Sequence, residues 1–258
     1  MKRVFSAVAV IAIALVGLWI VGGWQKASPT NVKSACTSTM FERDEFTICR
    51  YDPQRHRIQI ITSDDQQRPL RSFAALRSFL GSKAKDVAFA MNGGMFDTEG
   101  QPIGLSVEGG QVRHPINLRD GGGNFHLMPN GVFWVDRNGA HVADSATFDL
   151  EAHPELQIAT QSGPMLVNEG KLHPRFSADG ASRYIRNGVG IGPTGQPIFA
   201  ISKARISFGK FARLFRDHLK CQNALFLDGY VSSLWDGASG RSDTGASIGP
   251  IIVVSETR

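Results

Sequence analysis

The sequence predicts an α+β fold: a single domain with a β-rich core of hairpins and meanders and two or more packed helices. Strand signals dominate, turn dipeptides recur at hairpin spacing, and only two segments carry a helical period. No regular strand–helix–strand alternation appears, so a doubly wound sheet is not expected. The length of 258 residues and a hydrophobic share of 42% exclude a disordered chain, and three cysteines are too few for a disulfide scaffold.

The chain opens on Met1–Lys26, expected to be a signal anchor or signal peptide. After Lys2 and Arg3, residues 4–21 are apolar apart from Ser6 and Gly17. At about 1.5 Å per residue such a helix spans roughly 27 Å, close to a bilayer core. Gly22-Gly23-Trp24-Gln25-Lys26 offers no clean small-x-small cleavage site, which favours an uncleaved anchor over a cleaved peptide. Residues 27–34 form a polar linker, and residues 35–258 are expected to be one exported domain, periplasmic or in the cell envelope, anchored to the inner membrane by residues 4–21. The formal charge of +5 shrinks under this division. Lys2, Arg3 and Lys26 contribute +3 of it, and the body shows no basic stripe, so no nucleic acid partner is expected. Oligomeric state is not legible.

Cys36 and Cys49 flank twelve residues at the start of the body. In an oxidising compartment they are expected to pair, and Cys221, beside Ala224-Leu225-Phe226-Leu227, to remain a buried thiol. Phe46–Tyr51 and Arg57–Ile61 read as strands on either side of Asp52-Pro53. Leu70, Phe73, Leu76, Phe79 and Leu80 mark one helical face; Phe208, Phe211, Phe215 and Leu219 mark another, with Ser207 as N-cap. Gly109-Gly110, Asn130-Gly131, Asn138-Gly139, Glu169-Gly170 and Thr194-Gly195 are turn pairs. Phe125–Val142 then reads as a three-stranded meander. Gly190-Ile191-Gly192-Pro193-Thr194-Gly195 matches the dinucleotide fingerprint in letters only. A strand-like Pro197–Ile201 follows it where a helix is needed, so it is a hairpin turn. No G-x-S-x-G elbow and no paired histidine spacing occur, and no metal or cofactor is expected.

Four glycine-rich turns follow apolar strands and deliver polar residues where a backbone can approach a ligand. They contain Asn92-Gly93-Gly94-Met95-Phe96, Ser162-Gly163-Pro164, Arg186-Asn187-Gly188-Val189-Gly190 and Leu227-Asp228-Gly229-Tyr230-Val231-Ser232. Any one alone reads as a strand end with a polar turn. Together, in this order, they resemble the phosphodiester glycosidase family over roughly residues 45–255. One departure is that Tyr230 and Val231 stand where the family often has glycines.

The resemblance implies hydrolysis of the bond between a sugar anomeric carbon and a phosphodiester oxygen, on a phosphate-bearing glycan or glycoconjugate. An anionic substrate and an oxocarbenium-like transition state call for a cation and carboxyl groups. On this resemblance Arg186 is the expected phosphate clamp, assisted by Arg183 and Lys203. Asp228 is the first choice for acid/base or nucleophile. Asn92 and Ser162, with the N–H groups of Gly93, Gly94 and Gly163, would hold sugar hydroxyls or phosphate oxygens. Ser232 would orient Asp228 or the ligand. Asp97 is the expected second carboxylate by position, with Glu108 and Asp236 as alternatives. Two competing readings are a non-catalytic envelope module for glycan binding or exopolysaccharide assembly, and a metal-dependent phosphodiesterase built on Asp97, Asp228 and nearby histidines.

Overall fold

A computed structural model describes residues 34–148, 152–153 and 155–257; the expected membrane segment lies outside them. In chain order the first strands are β1 (Cys36–Phe41), β2 (Asp44–Arg50) and β3 (His56–Ile61), then helix α1 (Phe73–Leu80) and β4 (Val87–Asn92). A hairpin β5 (Ser106–Glu108) and β6 (Gln111–His114) precedes β7 (Gly131–Asp136), β8 (Gly139–Asp144) and β9 (Ile158–Ser162). Next come β10 (Met165–Asn168), β11 (Lys171–Leu172), β12 (Asn187–Ile191) and β13 (Pro197–Ser202). Helix α2 (Phe208–Arg213) leads through a π turn into β14 (Asn223–Phe226), β15 (Leu234–Asp236), β16 (Arg241–Ser242) and β17 (Ile251–Glu256).

These strands form three sheets, antiparallel throughout. Their orders are β1-β2-β13-β12-β14-β10-β11, β16-β15-β4-β17-β3 and β6-β5-β9-β7-β8. The β-rich expectation is met, but the helical share is smaller than α+β suggests: α1 has eight residues and α2 six.

Side chains alternate across a strand, so a continuous apolar strand must bury both faces. In β13, Phe199 and Ile201 point into a central core while Ile198 and Ala200 pack beneath α2. In β17, Ile252 and Val254 enter the same core while Ile251 and Val253 pack beneath α1. Phe199 joins the sheets: its ring lies 5.4 Å from Phe89 of the second and 5.6 Å from Phe133 of the third. Each of these fully buried rings contributes roughly 2–3 kcal/mol.

Both helices start on the expected kind of residue. The Ser72 hydroxyl accepts from Ala75 N–H at 3.1 Å and the Ser207 hydroxyl from Lys210 N–H at 3.2 Å. Phe79, read as part of the apolar face of α1, stands 37% exposed. Four of the five turn pairs close hairpins; Asn130-Gly131 instead opens β7. Phe125–Met128 is turn rather than strand, so the expected meander is the β7–β8 hairpin, with β9 as the other neighbour of β7. Gly121-Gly122-Gly123 and Pro129 bracket that segment, and Asn130 Nδ2 ties it by donating to the Phe125 carbonyl at 2.9 Å.

Cys36 and Cys49 face each other in the β1–β2 register and are bonded. Reduction, or Cys36→Ser with Cys49→Ser, is expected to cost about 3 kcal/mol from the entropy of a loop this short. Thermal melts with and without reductant read it as a Tm drop of several degrees, and coincident melts would refute it. Cys221 is a buried free thiol, pushed up to about 12 by burial. Among the described residues, no helix is long and apolar enough to cross a membrane.

Candidate functional site

Three strand ends meet at the resembling motifs: the end of β4, the start of β12 and the chain beyond β14. Asn92 is the joint. Its Nδ2 donates to the Asp228 carbonyl at 2.8 Å, while its Oδ1 accepts from Ser233 N–H at 2.8 Å. Asn187 Nδ2 donates to the Asn92 carbonyl at 2.9 Å and lies 3.0 Å from its Oδ1. The Ser232 hydroxyl sits 3.0 Å from both Asn187 Oδ1 and the Ile185 carbonyl. Asp228 N–H closes the ring by donating to the Gly93 carbonyl at 3.1 Å. Asn92, Asn187 and Ser232 therefore fix the backbone on which Asp228 stands. Asn187 was not singled out from sequence. The available signal was a lone amide at the entry to the buried strand Gly188–Ile191.

Among the described residues the Asp228 carboxyl has one hydrogen bond, from Tyr230 N–H at 3.3 Å. It leaves the apolar run Ala224–Leu227, and burial pushes it up to about 6, against the weaker opposing effect of that N–H. At neutral pH it can exchange a proton.

The other expected site residues divide. Gly93 N–H donates to the Pro250 carbonyl at 2.7 Å and Gly94 N–H to Thr160 Oγ1 at 3.1 Å, so neither amide faces a ligand. A Cβ on Gly163 would stand 2.6 Å from Asn130 Cβ, so this glycine permits close chain packing. Ser162 is fully buried and its hydroxyl has no partner among the described residues. Asp97 lies in a turn of its own, its Oδ1 accepting from Glu99 and Gln101 N–H at 3.0 and 2.9 Å. Glu108 is on β5 near Arg113, and Asp236 on β15 accepts from Ala238 N–H at 3.1 Å.

The cations move furthest from expectation. Arg186 is 1% exposed. Its Nε donates to the Ile206 carbonyl at 2.9 Å and one Nη to the Ser182 carbonyl at 2.8 Å, with the guanidinium 3.5 Å above the centre of the Phe208 ring. The group that was to clamp phosphate is instead packed inside the protein. Arg183 pairs with Asp179 at the surface, and Lys203 with Glu45 at 2.6 Å. Lys203 and Ser232 nevertheless line one cleft, of about 750 Å3, with Arg205 and Arg241. Among the described residues no group of three His, Cys, Asp or Glu is placed to hold a metal ion.

Residues 85–255 match the model of a family described as phosphodiester glycosidase. An uncharacterised Escherichia coli K12 protein, YigE, is 35% identical over 184 residues, 71% of each chain. The fold is similar to the catalytic domain of zebrafish N-acetylglucosamine-1-phosphodiester alpha-N-acetylglucosaminidase, auto-inhibited by pro-peptide (TM-score 0.59, 15% identity, 86% of this chain and 82% of that one). It is also similar to a hypothetical protein from Synechocystis (TM-score 0.56, 14% identity, 86% of this chain and 61% of that one).

Proposed function

Because the chain belongs to the phosphodiester glycosidase family, we propose that it hydrolyses the bond between a sugar anomeric carbon and a phosphodiester oxygen, with Asp228 as general acid. The observation that carries this reading is the Asp228 carboxyl, raised to about 6 by burial at a point three strand ends hold fixed. When the C1–O bond breaks, the departing oxygen becomes part of a phosphomonoester, whose second pKa is about 6. An acid of matching strength transfers its proton with little energetic mismatch. Water adds to C1, and the proton it releases replenishes the carboxyl through solvent.

The substrate is a phosphate-bearing glycan or glycoconjugate of the cell envelope, and the body works in an exported compartment. The Cys36–Cys49 bond supports the latter, since such bonds persist under oxidising conditions. Incubating the full chain with a synthetic sugar-1-phosphodiester is expected to yield free sugar and phosphomonoester. Its kcat/KM should be level below about pH 6 and fall about tenfold per pH unit above it, as the acid form is lost. No sugar release at pH 5 would overturn the reading.

The second reading is a non-catalytic glycan-binding module. The hydrogen bonds of Asp97 and Asp236 to their own turns favour it, since neither carboxyl is paired with Asp228. Tight substrate binding without turnover is its signature.

A further inference from the structure

The second and third sheets abut without sharing a hydrogen-bonded ladder: β3 ends one sheet and β6 the other. Between them lies a cleft of about 500 Å3, walled by residues 59–65, by Phe79 of α1 and by the β5–β6 hairpin. It shares no lining residue with the cleft at Gly229, so it is separate from the surroundings of Asp228.

Two groups on its wall are buried without partners. Thr62 is 5% exposed, and its Oγ1 meets no donor or acceptor among the described residues. Glu108 Oε1 is likewise buried and unpartnered, and Oε2 has Arg113 Nε only at 3.9 Å, the outer limit of an ion pair. A carboxylate oxygen can only accept, so leaving it buried and bare costs free energy that a ligand donor recovers. The Glu108 side chain as a whole is 18% exposed, and rotation about its terminal bond presents either oxygen to the cleft. Nearby, Asp64 is neutralised by Arg68 at 2.7 Å, whereas the Asp65 carboxyl makes no hydrogen bond or ion pair with any described residue. Asp65 and Phe79 also line an adjoining hollow of about 550 Å3 along α1. The partly exposed Phe79 ring therefore stands where the two hollows meet, with Glu108 in the first and Asp65 shared by both.

This combination selects among ligands. An anion would meet carboxylates short of cations, and a neutral polyol would leave their charge uncompensated. A primary ammonium brings a positive charge and three donors. An alkyl chain with an ammonium at each end also covers an aromatic ring, whose face attracts cations.

We propose that this cleft binds a linear aliphatic diamine, one ammonium held by Glu108 and Thr62 and the other by Asp65, with the chain lying across Phe79. The site is independent of the hydrolase reading of Asp228.

The test is calorimetric titration of the full chain with cadaverine at neutral pH and low salt. Saturable binding is expected, with no heat from the corresponding diol. Pentylamine, with one ammonium, and the fully methylated analogue, with both charges but no N–H donors, should each bind about tenfold more weakly or worse. Glu108→Gln is expected to raise the Kd for cadaverine about tenfold or more, and Thr62→Val severalfold. Because neither Thr62 Oγ1 nor Glu108 Oε1 has a partner in the fold, both variants should melt no lower than the parent. Asp65→Asn should bring cadaverine down to the affinity of pentylamine. The probe series on the parent protein reads the proposal without any variant. No binding of cadaverine by the parent overturns the site, and so does a Kd within twofold in Glu108→Gln. Equal affinity for the methylated analogue overturns hydrogen bonding as its basis, and equal affinity for pentylamine overturns the Asp65 contact. Binding of a lysine-bearing peptide without binding of cadaverine overturns the small amine in favour of a protein partner.

Discussion

Asp228→Asn is expected to abolish sugar release and also to make the protein more stable above pH 6. Loss of a positioned general acid costs typically 10²–10⁴ in rate, so kcat should fall by at least a hundredfold. The stability effect follows from the direction of the shift. The carboxyl ordinarily titrates near 3.8, and burial raises it to about 6 in the folded chain. Between those values the unfolded chain loses its proton first, so folded stability declines as pH rises through this window. Above about pH 6 the cost is constant, and two pH units correspond to at most about 3 kcal/mol. Asparagine carries no charge and keeps an oxygen for Tyr230 N–H. The variant should therefore melt several degrees above the parent at pH 8 and together with it at pH 4. Parallel melts at the two pH values and a sugar-release assay at pH 5 read both effects. Full residual turnover would remove Asp228 from the chemistry, and equal melting at pH 8 would mean the carboxyl is not desolvated.

The proposed exchange of stability for reactivity at Asp228 is of a kind common at active sites, and it depends on features that sequence shows unequally. The apolar run Ala224–Leu227 is local, and it told in advance that Asp228 leaves a low-dielectric strand. The strand at Pro197–Ile201 and the Ser207 cap of α2 were legible for the same reason. Sheet order was not, because β4 sits between β15 and β17, more than 130 residues away along the chain. Phe125–Met128 has strand-like residues but no strand beside it, and flanking glycines and Pro129 decide the outcome. The glycines of the resembling motifs read as ligand cradles. In the fold Gly93 and Gly94 give their amides to Pro250 and Thr160, partners that only tertiary structure supplies.

Arg186→Ala is expected to destabilise the whole domain rather than to weaken substrate selectively. The motif placed this arginine next to a strand, but where a guanidinium points is set by what packs around it. Phe208 lies 3.5 Å from it and Phe226 5.3 Å, one from α2 and one from β14. The carbonyls of Ile206 and Ser182 and the Ser182 hydroxyl at 3.2 Å take its N–H groups. No described carboxylate pairs with it. Burial holds its pKa down at about 10, so at neutral pH it remains charged, stabilised by carbonyl dipoles and ring faces. Truncation leaves a cavity beside Phe208 and removes the guanidinium's hydrogen bonds to the Ile206 and Ser182 carbonyls, which together should cost about 3 kcal/mol. Arg186→Lys should recover only part of this, because an ammonium lacks the planar fork that stacks on Phe208 and reaches both carbonyls. Activity on a phosphodiester and on a neutral aryl glycoside should then fall together, in proportion to the folded fraction measured by denaturant titration. Loss confined to the phosphodiester, in a variant as stable as the parent, would return Arg186 to the role of phosphate clamp.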